Sequence, residues 1–162
     1  MKIVHLFRSP AHMYVGHHGR EPGDAPMLES ARLRVLAGCG VEGDRYCRAD
    51  GGGDAQITLF SEETWRRLCG ELGRSDLSPA VFRRNVVVRG VDLRTLIGVD
   101  FEVQGVRFRG VEHCRPCYWM DRAFAPGALE CLSKWEAGGL RARVLTDGWI
   151  EVDAGEAPAC SG

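Results

Sequence analysis

Apolar and polar positions alternate over residues 2–8, and again around Leu33, Val35 and Ala37 in residues 31–37, which predicts two half-buried strands. Gln56-Ile57-Thr58-Leu59-Phe60 predicts a third. Ser61 then reads as a helix N-cap, with Glu62 and Glu63 in the first turn, where the helix dipole favours acids. Trp65, Leu68, Cys69 and Leu72 follow at i, i+3, i+4 and i+7, one helical stripe that Gly73 ends. Ser78-Pro79 opens a short helical turn, and Val86-Val87-Val88 reads as a fully buried strand. Phe101 to Phe108 predicts a hairpin turning at Gln104-Gly105. A short helical patch follows Cys117. Pro126 opens another helix, with Leu129, Leu132 and Trp135 on one face and Gly138-Gly139 closing it. Residues 141–146 and 149–152 predict a second hairpin around Asp147-Gly148.

Seven or eight short strands against two or three helices do not alternate as a doubly wound parallel sheet does. The pattern predicts a mainly β fold: a closed or nearly closed, mostly antiparallel barrel with peripheral helices. The chain of 162 residues is expected to form a single domain over residues 3–155, with 156–162 as a flexible tail. Ser9–Glu29 and Gly38–Asp54 lack a steady period and read as long loops, of the kind that often carries function.

A net charge of −1 gives no bulk electrostatic case for nucleic acid or membrane binding. No apolar run approaches the ~18 residues of a membrane helix, and Met1–Arg8 is too short for an export signal. A cytoplasmic location is expected. The odd cysteine number, seven, then predicts free thiols rather than a disulfide framework. Of the 21 basic residues only Lys2 and Lys134 are lysines, so position must decide whether some of the arginines clamp an anion.

The strongest local signal is His113-Cys114-Arg115-Pro116-Cys117, between a predicted strand and a predicted helix. Arg115 and the helix start both favour a thiolate. Besides two plain buried cysteines, three readings stay open. The segment could be a redox pair, or a zinc site completed by His17 and His18. It could also carry one special thiol, Cys117, that binds a soft metal or carries sulfur beside an auxiliary Cys114. A second cluster, Arg83-Arg84-Asn85, is suited to a phosphate or pterin edge, or else is a solvated strand end. A third, Gly40-Val41-Glu42-Gly43-Asp44-Arg45, presents Asp44 and Arg45 on a tight turn, or is an ordinary turn with a surface ion pair. His5 and His12 have no evident partner.

The ordered set resembles the MOSC family, named for the C-terminal domain of molybdenum cofactor sulfurases. The matching pieces are Gly40–Arg45, Gln56–Phe60, Arg83–Leu93, Leu96-Ile97-Gly98, Pro116-Cys117 and Gly138–Ala142. The resemblance implies a mostly antiparallel barrel and binding of a molybdopterin-type cofactor. It makes Cys117 the metal ligand of a reductase of N-hydroxylated compounds, or the persulfide carrier of a sulfurtransferase with Cys114 resolving it. Arg83, Arg84, Asn85, Asp44, Arg45, Arg115 and Arg141 are the expected cofactor-binding residues. An electron-donor protein or a cysteine desulfurase is the expected partner, beside a small-molecule substrate. The chain has no room for a pyridoxal-phosphate domain. It departs from the family pattern at Tyr46, Ala55 and Ala154. Those departures motivate a third reading, a non-catalytic binding module on the same barrel.

Overall fold

The computed structural model describes residues 1–14, 21–47 and 53–155. Its elements run β1 (Lys2–Arg8), β2 (Leu28–Glu29), β3 (Arg32–Leu36), β4 (Gly40–Val41), β5 (Ile57–Ser61), α1 (Glu62–Leu72), β6 (Val86–Arg89), β7 (Asp100–Val103), β8 (Val106–His113), α2 (Trp119–Ala123), α3 (Ala128–Lys134), β9 (Leu140–Val144) and β10 (Gly148–Glu151). Short 3₁₀ turns occupy Pro79–Phe82 and Leu93–Leu96.

The local signals act as their chemistry requires. The Ser61 hydroxyl accepts the Thr64 N–H, and Gly73 leaves α1 in the left-handed conformation at φ 61°. Gln104 and Gly105 both take positive φ, 52° and 81°, which matches the twist of the β7–β8 hairpin. The run Val86-Val87-Val88 is buried on both faces. Val86 and Val88 join the main core, and Val87 packs with Val4 and Phe7 on the other side.

The strands form two sheets rather than a closed barrel. The larger has the order β2-β1-β6-β5-β9-β8-β7, with β5 and β6 parallel and the other pairs antiparallel. It ends on β2 and β7, two different strands. A smaller sheet, β10-β3-β4, supplies Leu33, Val35, Val41 and Ile150 to the apolar core shared with the first. The expected hairpin over residues 141–152 is corrected for a physical reason. Both edges of β9 are already occupied, by β5 and β8, so β10 leaves that sheet and pairs with β3. Asp147, at the crossing, accepts the Ala37 N–H at 2.7 Å. Two short strands, β2 and β4, arise where only loop was expected.

A second apolar cluster seats the three helices, with Phe60, Leu68, Phe82, Phe124 and Leu132 at its centre. Among the described residues no helix is long and apolar enough to cross a membrane. The tail 156–162 lies outside the described residues.

The expectation of free thiols is also corrected. Cys39 and Cys47 form a disulfide. Successive tight turns, Asp44 N–H to Val41 O and Cys47 N–H to Asp44 O, fold the chain back and bring the two Cα atoms to 4.8 Å, within bridging range. Cys69, Cys114, Cys117 and Cys131 are free.

Candidate functional site

The Arg83-Arg84-Asn85 segment sends its three side chains to three places. Arg83 caps the Pro79–Phe82 turn in the left-handed conformation, φ 56°, so it does not share a strand face with Asn85. Its guanidinium is buried. It donates to Ser9 Oγ at 2.7 Å, Ala11 O at 3.0 Å and Ala25 O at 2.8 Å, and so pins both described flanks of the 9–29 loop. Burial pulls the Arg83 pKa down, and the charge of Arg45 adds to that. Arg84 donates twice to Gly138 O and once to Phe82 O. Asn85 is sealed. Its Oδ1 accepts from Thr58 N and Oγ1, and its Nδ2 donates to Phe7 O and, at 3.0 Å, to Asp44 Oδ2.

Asp44 is the hub of this network. Its buried carboxylate accepts the Ser9 N–H at 2.9 Å, the Tyr46 N–H at 3.1 Å and Arg45 Nη1 at 3.2 Å, in addition to Asn85. The Arg45 side chain is buried as well. It donates to Arg83 O at 2.8 Å and lies over the Tyr46 ring. The donors and acceptors of these residues are largely used inside the protein. Asp44, Arg45, Arg83 and Asn85 come together, as scaffold around the site.

The cysteine segment follows β8. Cys114 is buried, 2% exposed, and its N–H donates to Gly139 O at 2.8 Å. Arg115 and Cys117 are exposed. Gly138 presses on the segment from below. A Cβ there would lie 1.9 Å from Cys114 O and 3.0 Å from a Pro116 ring carbon, so only glycine fits. Arg84 grips Gly138 from the other side, and the Gly138 N–H donates to His113 Nε2 at 3.0 Å. That bond places the ring proton of neutral His113 on Nδ1, and burial lowers the His113 pKa. The backbone of Cys117 accepts the Met120 N–H, which starts α2.

Tyr14 and Trp119, which the sequence patterns did not single out, complete the surroundings together with the expected Arg141. Tyr14, from the long loop, stacks on Trp119 at 4.6 Å between ring centres. Burial pushes its phenol pKa up, Cys117 adds to the rise, and Arg83 and Arg122 oppose it. Tyr14 thus lies near Arg83, Arg122 and Cys117. Arg141 joins the two regions. Burial works against its charge, but a hydrogen bond to Glu112 and the proximity of Cys114 and Tyr46 outweigh that and raise its pKa. The role of Tyr14 could have been suspected only from its place in a long loop. Its spacing carries no signal.

A cleft of about 420 Å³ lies elsewhere, lined by Ser61, Arg67, Arg94, His113, Trp135 and Glu136 among others, and Cys117 is not part of it. Among the described residues no three His, Cys, Asp or Glu side chains converge as metal ligands. His17 and His18 lie outside the described residues.

A family model described as the MOSC domain matches residues 46–156. Three solved structures share the fold. The YuaD protein from Bacillus subtilis aligns with a TM-score of 0.69 at 17% identity, over 93% of this chain and 91% of that one. YiiM from Geobacillus stearothermophilus aligns at 0.65 and 16% identity, over 93% and 70%. YiiM from Escherichia coli aligns at 0.61 and 19% identity, over 90% and 66%. At such identities the likeness is one of fold. No curated protein matches the sequence.

Proposed function

The chain belongs to the MOSC domain family, that of molybdenum-cofactor sulfurase-like domains, and from that premise we propose that it binds a molybdenum cofactor through Cys117 and reduces N-hydroxylated compounds. The observation that carries this reading is the contrast between two cysteines three residues apart. Cys114 is packed away, and Cys117 is presented to solvent on a segment held by Gly138 and Arg84.

The donor set fits such a cofactor. Among the described residues Cys117 is the one exposed free thiol, and no three ligand side chains converge, which suits a metal that brings its other sulfur ligands with it. When bound, the cofactor would supply the two-electron chemistry that removes oxygen from an N–OH group. The protein's own part is to hold and shield. The exposed Cys117 thiol is offered on a segment whose backbone is held from behind, so its position is fixed before a ligand arrives. Arg115 and Arg141 reach solvent and are the guanidinium groups best placed to meet a phosphate. Asp44, Arg45, Arg83, Arg84 and Asn85 act behind them by fixing the loop and the cysteine segment. An electron-donor protein in the cytoplasm would complete the cycle.

The test is metal analysis of protein made in a host that synthesises the cofactor. Wild type is expected to carry molybdenum, and Cys117→Ser to lose most of it. Equal molybdenum in both would remove Cys117 from the ligand set.

The same exposed thiol supports a second reading, sulfur transfer. The Cys117 thiolate would attack the outer sulfur of a desulfurase persulfide. The donor's S–S bond breaks, its cysteine leaves as thiolate, and Cys117 keeps the sulfur as a persulfide. Attack of Cys114 on the Cys117 sulfur would then form a Cys114–Cys117 disulfide and expel the terminal sulfur as hydrosulfide. Incubation with a cysteine desulfurase and cysteine should add about 32 Da, one sulfur, to the Cys117 peptide. An unmodified peptide counts against this route.

A further inference from the structure

The cleft of about 420 Å³, which does not include Cys117, is of the size that holds a small organic molecule. The start of α1 supplies one part of its lining, the Leu93–Leu96 turn another, and the residues after α3 a third. Most of the charges there are already engaged. Asp92 accepts two bonds from Arg94, at 2.8 and 3.0 Å. Glu63 accepts the Gly90 N–H at 2.7 Å and the Ser61 hydroxyl at 2.8 Å. Burial keeps His113 neutral at pH 7.

Two charges remain open. Arg67 lies over the Trp135 ring, 3.8 Å from its centre, and makes no ion pair or hydrogen bond among the described residues. The stack fixes one face of the guanidinium and leaves the donors at its edge available. The Glu136 carboxylate likewise has no hydrogen bond or ion pair there, and its charge reaches both Arg94 and His113. Glu136 also sits at a backbone position made for another residue. It follows the end of α3 at φ 52°. Its N–H donates to Ser133 O, and the Ala137 N–H donates to Leu132 O, a helix end that glycine fills at least cost. Strain of this kind gathers where a side chain is needed for something other than folding. The lining also offers apolar surface, with Ile97 39% exposed and Val91 half-buried.

One open positive charge, one open negative charge and an apolar surface together match a ligand that carries both charges on a small apolar body. We propose that this cleft is a second binding site and that it takes an α-amino acid with an apolar side chain. The ligand's carboxylate meets the Arg67 fork, its ammonium group meets the Glu136 carboxylate, and its side chain lies against Ile97 and Val91. A plain carboxylic acid would face Glu136, and a plain amine would face Arg67, so each half of the ligand alone meets a like charge. Because Cys117 is not part of the cleft, this binding can fail with molybdenum binding intact, and the reverse.

The experiment titrates L-phenylalanine into the full chain and follows the Trp135 indole N–H by proton–nitrogen NMR, with Trp135→Phe to assign the signal. Phenylpropionate, which lacks the amine, and phenethylamine, which lacks the carboxylate, are the comparison probes. L-Phenylalanine is expected to give a saturable shift, and each comparison probe to bind about tenfold more weakly. Arg67→Gln should abolish the preference over phenethylamine, and Glu136→Gly the preference over phenylpropionate. Glu136→Gly should also melt no earlier than wild type, because glycine suits that backbone, so its loss of binding is not a folding defect. Should Arg67→Gln fail to fold, Glu136→Gly and the three probes on wild type carry the test. The absence of a saturable Trp135 shift up to about 10 mM L-phenylalanine overturns the proposal. So does equal binding of the three probes, and so does a Glu136→Gly protein that binds L-phenylalanine as wild type does or that melts well below it.

Discussion

Two polar regions meet at one end of the larger sheet, and they are built in opposite ways. Around Asp44, buried side chains satisfy one another: Asp44 with Asn85 and Arg45, Arg83 with three oxygens of the 9–29 loop. Around Cys117 the backbone is pinned by Gly138 and Arg84, while the thiol and Arg115 face solvent. A buried polar group is tolerated only with its hydrogen bonds made, and once they are made it has little left for a ligand. The first region holds shape, and the second leaves a thiol and a guanidinium open to solvent.

The largest test of that contrast is Asp44→Ala. It strands the Ser9 and Tyr46 N–H groups, the Asn85 amide and the Arg45 guanidinium in a dry site. Loss of one partner from such a network costs about 3–5 kcal/mol. For a chain of this length that lowers Tm by roughly 10 °C. Arg115→Ala, in the exposed region, should stay within about 0.5 kcal/mol. Similar melting of the two variants would erase the distinction.

Glu62 sharpens it from a site with no candidate chemistry. Its carboxylate is 3% exposed and paired with Arg66 and Arg89. The hydrogen bond from Arg89 leads in lowering its pKa, with Arg66 helping against the cost of burial. A carboxyl whose folded pKa is depressed contributes stability above its unfolded pKa and loses it as pH falls through the folded value. Glu62→Gln should therefore cost roughly 1–3 kcal/mol at neutral pH in urea unfolding. The gap to wild type should close as the solution is acidified below the ordinary glutamate pKa. A gap that persists in acid would mean that the carboxylate's charge is not what stabilises.

The elements were legible where local chemistry decides them. Ser61 and Gly73 bound α1, Gln104-Gly105 turns the β7–β8 hairpin, and the triple valine lies inside the sheet. What stayed hidden depends on partners far along the chain. Asp147-Gly148 has the composition of a hairpin turn, but whether β9 has a free edge is fixed by β5 and β8. The expected barrel opened for that reason. Cys39 and Cys47 carry no signal of pairing until the turns at Val41–Cys47 fold. For the candidate site, the motifs named residues that the fold brings close together but not which of them are buried and which face solvent. A sequence shows that Arg83 and Asn85 are polar, while only the packed structure shows that their hydrogen bonds are already spent on Ser9, Thr58 and Asp44.

The smallest expected effect separates the two free cysteines of the Cys-Arg-Pro-Cys segment. Cys114 is enclosed, and a serine hydroxyl in its place must give up water, so Cys114→Ser should cost about 1–3 kcal/mol in chemical unfolding. Cys117 already faces water, so Cys117→Ser replaces one solvated group by another and should change stability by less than about 0.5 kcal/mol. If Cys117 holds molybdenum as proposed, the same Cys117→Ser protein should nonetheless lose most of that metal, together with alkylation at position 117. A residue that matters for stability and a residue that matters for chemistry are then told apart by one pair of variants. If Cys117→Ser instead melts as early as Cys114→Ser, the thiol belongs to the packing, and the chemistry assigned to it must be sought on another group.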